Sequence, residues 1–407
     1  MKKNKLILTL IVYIAYIMMG LSKNIIGPVL PTIIENYEIT LTLAGTLFTL
    51  LSIGRIFSVS SASGLLDSIG RKRVLISGLI LLFIGQTLYG ISFSWWVHLI
   101  SIMIVGMGIG LIGTSSNAVI ADLYQEKRGK ALNLLHMCFG IGAFIGPILA
   151  GSYLSLNINW RWIYFTSGFI SLILFILTSL YEFPDNNKYE KFKFNKLKNT
   201  FSTTKERWKK ILQSPILILL GLIMFIYIGV GNGIIGWVNK YLGEIKSFSV
   251  LSASGVLAVY NFGIIGGRFV CSFVSDNLGY KKTILVCAVG SLLFINLAVL
   301  SNNFYIILTG FGLTGFFLSG LNPTAIAYGT KLFPDMIGTV SAGLKTISVL
   351  GGTVVPLLMG AISDHFGLQG GMMTTIVFAI ILLIMAIFLK NDKEIFSAQD
   401  KNQEMSH

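Results

Sequence analysis

The chain has 407 residues, 54% of them apolar and only 12% charged, and its formal net charge is +14. A soluble protein of this length needs a much larger charged surface, so this composition excludes an ordinary water-soluble enzyme or binding domain. It points to a chain that lives in lipid.

Apolar runs of about 18–25 residues recur from end to end, each long enough to cross a hydrocarbon core roughly 30 Å thick. Twelve helical spans are predicted, near residues 6–29, 42–66, 74–92, 96–120, 131–155, 162–181, 214–239, 249–273, 282–300, 304–328, 338–362 and 371–389. Strands of a membrane barrel would be shorter and would alternate strictly. The first run follows Lys2, Lys3 and Lys5. It is too long for a signal peptide and lacks a small-residue cleavage site, so it is kept as span 1. The expected fold class is an all-α integral membrane protein with twelve transmembrane helices in two pseudo-symmetric six-helix bundles. The expected bundles are residues 1–183 and 214–390, joined by a basic cytoplasmic linker at 184–213 and followed by a cytoplasmic tail at 391–407.

The positive charge follows the topology. With the amino terminus inside, 24 of the 31 Lys and Arg fall in cytoplasmic segments, while Arg161, Lys240 and Lys246 fall outside and four lie within spans. This asymmetry predicts a multi-pass protein of the cytoplasmic membrane with both termini inside. It argues against nucleic acid as a partner. The cations between Lys188 and Lys210 are expected to hold the linker at the anionic inner leaflet. Cys138, Cys271 and Cys287 all lie in spans, and no metal-ligand spacing joins them to the four His, so neither a disulfide nor a metal site is expected.

The chain also repeats itself at a constant offset. Asp67-x-x-Gly70 recurs as Asp276-x-x-Gly279, and 276 − 67 = 209. Pro147 maps at the same offset onto Pro356, Gly106 onto Gly315, Gly129 onto Gly338 and Gly142 onto Gly351. Membrane proteins built from two such repeats bind their substrate at the repeat interface and rock the halves about it. Gly70 and Gly279 permit a tight reversal between helices, and Asp67 and Asp276 are suited to cap a neighbouring helix amino terminus. With Arg71, Lys72 and Lys281 they form an expected cytoplasmic latch, the cations meeting phosphates or carboxylates of the other half. The alternative is a charged turn that only fixes topology. Gly142, Gly146, Pro147 and Pro356 are expected at close helix contacts, as is the Gly106-x-Gly108-x-Gly110-x-x-Gly113 run.

These motifs resemble the major facilitator superfamily over essentially the whole chain. The Ser63-to-Arg73 loop is similar to that family's G-x-L-x-D-x-x-G-R-K/R pattern, with Ser63 where the first Gly is usual. Gly142-x-x-x-Gly146-Pro147 and Trp160-Arg161-Trp162 resemble its span 5 and span 6 segments. Glu126 to Pro147, and Gly266-Gly267-Arg268, look like the fucose-permease-like sugar carriers. The resemblance implies a secondary transporter whose spans 1, 4, 5, 7, 10 and 11 line a central cavity. Two departures stand out. Ile102 occupies the place of the Arg found in drug/proton antiporters, and Gly231-Asn232 stands where the sugar branch often has Glu.

Four cations, Lys23, Arg55, Arg268 and Lys345, fall within spans, and no Asp or Glu lies deep in any; Asp122 sits at the inner end of span 4. An ionised group at that depth costs roughly 2.5–3.5 kcal/mol, so such groups usually face a wet cavity. The expected cavity set adds Asn24, Asn117, His136, Asn232, Asn261 and Asn322. His136 is read as the only intramembrane group with a reference pKa near neutrality, about 6.5. Competing readings remain open: Lys23 and Lys345 snorkelling to an interface, Arg55 bonding backbone carbonyls, Arg268 joining the latch, and His136 serving packing. The function expected is secondary active or exchange transport of a small hydrophilic solute, sugar or sugar-like, by alternating access. An organic anion held by the four cations is the second reading, and drug efflux the third. No catalytic constellation or nucleotide motif is present in the sequence, so no enzyme activity and no cofactor are expected. The partners expected are the bilayer, the solute and an accompanying ion, with the protein a monomer.

Overall fold

The computed structural model describes residues 2–181, 183, 213–333 and 336–389. The connector at 184–212 and the tail from 390 onward lie outside the described residues. Among those described, every regular element is an α-helix. They are labelled α1 (Lys2–Asn24), α2 (Ile26–Tyr37), α3 (Leu41–Ile69), α4 (Arg71–Ile91), α5 (Trp95–Leu123), α6 (Arg128–Ser155), α7 (Arg161–Leu180), α8 (Pro215–Glu244), α9 (Val250–Leu278), α10 (Tyr280–Leu300), α11 (Phe304–Ser319), α12 (Leu321–Leu332) and α13 (Ile337–Phe388). Eleven segments are long and apolar enough to cross a membrane, and the last, Ile337–Phe388, passes through the non-helical Gly367. Counting it as two gives twelve, the number expected.

Two spans are broken, and the same chemistry explains both. The first span, Lys5–Tyr37, changes from α1 to α2 after Asn24, and Phe304–Leu332 changes from α11 to α12 after Ser319. Pro28 and Pro323 stand four residues further on (28 − 24 = 4, 323 − 319 = 4). Proline has no N–H to return to the carbonyl four residues before it, and its ring crowds that carbonyl. The helices therefore yield at Asn24 and Ser319. At each break the side chain bonds back into the preceding turn: Asn24 Nδ2 donates to Gly20 O at 2.9 Å and Ser319 Oγ to Phe316 O at 2.8 Å.

The chain divides into two compact units. One contains Met1–Lys193 with Ile234–Asn261 and Pro356–Gly371; the other contains Phe194–Gly233, Phe262–Val355 and Met372–His407. Within the first, α3 and α4 pack on α5, α1 on α6 and α4 on α7. Glycines let these helices meet backbone to backbone. A Cβ at Gly54 would overlap the Met103 carbonyl oxygen, and one at Gly142 would overlap that of Ile17. In the second unit a Cβ at Gly263 would overlap the carbonyl oxygen of Gly312. Both partners of the Gly54–Met103 contact are displaced by the repeat length (54 + 209 = 263, 103 + 209 = 312). The sequence repeat is thus a packing repeat. Gly146 also lies close to α1, at Leu21, while the Pro356 carbonyl accepts from Trp237 Nε1 at 2.9 Å.

Candidate functional site

In the first unit a polar cluster gathers around Tyr16 of α1. Asn117 of α5 donates from Nδ2 to Tyr16 Oη at 2.7 Å and to Gly113 O at 2.6 Å. The His136 ring of α6 meets the Tyr16 ring edge to face, centroids 5.6 Å apart. Arg55 of α3 is close enough to interact electrostatically with the Tyr16 phenol. Arg55 is fourteen residues from each end of α3 (55 − 41 = 14, 69 − 55 = 14), about 21 Å along the helix in either direction. Tyr16 is buried at 3% exposure, whereas Arg55 and His136 are exposed to solvent-sized contact. Four helices thus present a guanidinium, an imidazole, an amide and a phenol together, a set suited to hydroxyl or carboxylate oxygens.

Asn24 and Asn261, both expected in the cavity, meet each other. Asn261 Nδ2 donates to Asn24 Oδ1 at 3.2 Å, with the two side chains at 4% and 1% exposure. Lys23 is half-buried beside them in the last turn of α1, where its charge complements the helix dipole. In the second unit Arg268 Nη2 donates to Tyr227 Oη at 3.1 Å, and Asn232 Nδ2 to Gly352 O at 3.2 Å, tying α8 to α13. Asn322 is half-buried just beyond the α11–α12 break, and Lys345 is exposed on α13.

The two loop glycines share one backbone shape. Gly70 has φ 87° and Gly279 φ 85°, values that favour glycine. Asp67 and Asp276 lie in the last turns of α3 and α9; their side chains are outside what the structure describes. Arg71 departs from the expected pairing with the other half. It forms an ion pair with Asp122, at the end of α5 in its own half, and Lys72 Nζ donates to Ser179 O of α7 at 3.0 Å. Short side-chain reach across one helical corner favours these neighbours. Lys281 opens α10 beside Tyr280, whose ring stacks on Tyr328.

One reading needs correction. His136 is not the only imidazole within a span, because His98 lies in α5 and is completely buried. Tyr37, Tyr89, Trp95 and Trp160 surround it, with centroids 4.8, 4.5, 6.4 and 5.8 Å away. Neither of its ring nitrogens has a hydrogen-bond partner among the described residues. Beside this box Arg161 Nη1 donates to Gly90 O at 2.7 Å and to Ser92 O, and Nη2 to Tyr37 Oη at 3.2 Å. Tyr16, which interacts electrostatically with Arg55, and Tyr227, which accepts from Arg268, were also not singled out from the sequence. Aromatic residues are too common in such spans to stand out without their partners.

Membrane-spanning helices, an internal sequence repeat and polar side chains held within the spans are together the features of a membrane transporter. The sequence profile of the Major Facilitator Superfamily matches residues 12–277 and 222–405, and the chain belongs to that superfamily. Its family and fold are therefore those of membrane transporters, which are not enzymes. Relatives include a "Protein TsgA homolog" of Buchnera aphidicola subsp. Baizongia pistaciae (strain Bp), 25% identical over 95% of this chain and 96% of its own. "Bypass of stop codon protein 6" of Saccharomyces cerevisiae is 22% identical over 88% of this chain and 77% of its own. Among solved structures, a bacterial homolog of the human lysosomal transporter Spinster superposes with a TM-score of 0.78 at 17% identity, covering 95% and 97% of the two chains. The nucleoside transporter NupG gives 0.80 at 12% identity, covering 94% and 99%, and a D-xylose-proton symporter 0.73 at 16%, covering 94% and 96%.

Proposed function

We propose that this protein carries a small hydrophilic solute, a sugar or sugar-like molecule, across the cytoplasmic membrane by alternating access of its two halves. The observation behind this reading is the cluster of Tyr16, Arg55, Asn117 and His136 within the membrane spans, which offers several hydrogen-bond donors and no carboxylate. Hydroxyl-rich solutes are recognised by such fixed amide, imidazole and guanidinium groups. The resemblance to the sugar-carrier branch supports the same class, and two solved structures of similar fold are a nucleoside transporter and a xylose symporter by name. On this reading the halves are 1–183 and 214–390, both termini are cytoplasmic, and the carrier acts as a monomer.

An organic anion is the second reading, and Arg55 is what favours it. A guanidinium in the middle of a span binds a carboxylate in two parallel hydrogen bonds. Binding of labelled sugars, sugar acids and short carboxylates to purified protein in proteoliposomes separates the two. A neutral sugar whose binding falls on Asn117→Ala, with carboxylates inert, supports the first. Saturable carboxylate binding abolished by Arg55→Gln, with sugars inert, replaces it with the second.

A further inference from the structure

An Asp-x-x-Gly turn of the same backbone shape as those at Gly70 and Gly279 interrupts α13 at its middle. Asp364 stands three residues before Gly367, the spacing of Asp67 to Gly70 and of Asp276 to Gly279. The three glycines share one backbone shape: φ 87° and ψ 159° at Gly70, φ 85° and ψ 151° at Gly279, φ 73° and ψ 167° at Gly367. The repeat does not supply this copy, because 364 − 209 = 155 and residue 155 is a serine.

The Asp364 carboxylate has a defined target. One oxygen accepts from the backbone N–H of Leu41 at 2.9 Å; the other accepts from the N–H of Thr42 at 2.8 Å and from the Thr42 hydroxyl. Leu41 and Thr42 open α3, and Thr40 Oγ1 accepts from the next amide, Leu43, at 3.2 Å. The donors that a helix start leaves without intrahelical partners are thereby satisfied, two of them by a residue more than three hundred positions away. The negative charge also meets the positive end of the α3 dipole.

Below this cap the same segments form a seam within the first unit. Gly45 lies beside Pro356 O and Leu357, Gly360 beside Leu41 O, and Gly236 against the Phe48 ring. Ser254 packs on Gly151, and the Asn24–Asn261 pair lies deeper. The segments Ile234–Asn261 and Pro356–Gly371 are thus sealed onto the first half at the end where α2 meets α3. The charge distribution assigns that end to the outside.

We propose that Asp364 is the latch of the outer gate: the gate is shut while its carboxylate caps α3, and opening hands the Leu41 and Thr42 donors to water. Asp364 is exposed, so water replaces the lost bonds at small cost, as a latch that cycles requires. Helix α3 would then carry one Asp-x-x-Gly device at each end, Asp67 at its own last turn and Asp364 received at its first. The proposal needs no particular solute, so its failure leaves the proposed function standing.

The test uses the full chain in right-side-out vesicles, with Cys138, Cys271 and Cys287 changed to Ser and Ser254→Cys as the single reporter. Ser254 is 0% exposed in the seam, so a membrane-impermeant maleimide labels it only when the gate opens. Asp364→Asn should raise the labelling rate about five- to tenfold, and Thr42→Val, which removes one bond, by less. Hydrogen exchange at Leu41 and Thr42 is followed in the same variants, alongside a check that each elutes as a single species. Faster exchange at the two amides with unchanged Ser254→Cys labelling means a static helix cap and overturns the latch. Unchanged labelling in both variants overturns it as well.

Discussion

Arg71, the first residue of α4, forms an ion pair with Asp122, the penultimate residue of α5, so the first latch loop is anchored inside its own half. The two side chains are 33% and 26% exposed, which places the pair near the protein surface. Neutralising either partner should cost only about 0.2–1 kcal/mol. The double variant Arg71→Gln/Asp122→Asn should cost no more than the costlier single change. Thermal unfolding of the four proteins checks this as a double-mutant cycle; fully additive losses would show that each residue acts through another partner.

Arg161 should be far more sensitive. Its guanidinium bonds two carbonyls and the Tyr37 hydroxyl while lying 4.7 Å from the ring centroids of both Phe93 and Trp160. Lysine keeps the charge but not the planar fork. Arg161→Lys should therefore destabilise the first unit by about 1.5–3 kcal/mol, the worth of charge-assisted bonds. A melting temperature within a degree of wild type would refute the anchor.

The membrane spans and the repeat were legible because each is a property of long windows: a run of apolar residues, or one offset shared by many positions. Single-residue events were not. Pro28 and Pro323 sit inside apolar runs, and hydropathy averaged over a span passes across the breaks they cause at Asn24 and Ser319. Asp364 escaped because comparison at the 209 offset sets it against Ser155, a residue with no part in the turn. Of the expected cavity residues, Asn117 and His136 proved to share Tyr16, and Asn24 and Asn261 each other. Such pairings join helices distant in sequence, so no local pattern announces them.

Asn117 and Arg55 should separate affinity from chemical class. Asn117→Ala removes the donor that holds the Tyr16 hydroxyl, leaving an oxygen that must find another partner, and should weaken solute binding about tenfold or more. Arg55→Gln should do the same for a neutral solute and abolish binding of an anion. Isothermal titration with the solute found by uptake screening measures both. Equal, unchanged affinity in the two variants would move the site away from this cluster.

Proton dependence, if the carrier has any, should reside in an imidazole, since no carboxylate lies deep in a span and imidazole ordinarily titrates near neutral pH. His136 is exposed, whereas His98 is buried among aromatic rings. In vesicles under an imposed pH gradient, His136→Gln should remove the acceleration that the gradient gives, and His98→Gln should leave its ratio unchanged while lowering stability. The reverse outcome would assign proton sensing to the enclosed ring.

The glycine contacts carry an implication for how this chain tolerates change. Where Gly54 faces the Met103 carbonyl and Gly263 the Gly312 carbonyl, no layer of side chains separates the helices, so nothing there can shift rotamer to absorb an added methyl group. Elsewhere, exposed apolar residues such as Phe57 and Phe273, 59% and 65% exposed, have room around them and should accept many apolar replacements. A saturation library scored for surviving protein would trace two narrow intolerant lines, one in each half and 209 positions apart, across a permissive background. Damage at one line would leave the other intact, as expected of two separately packed units.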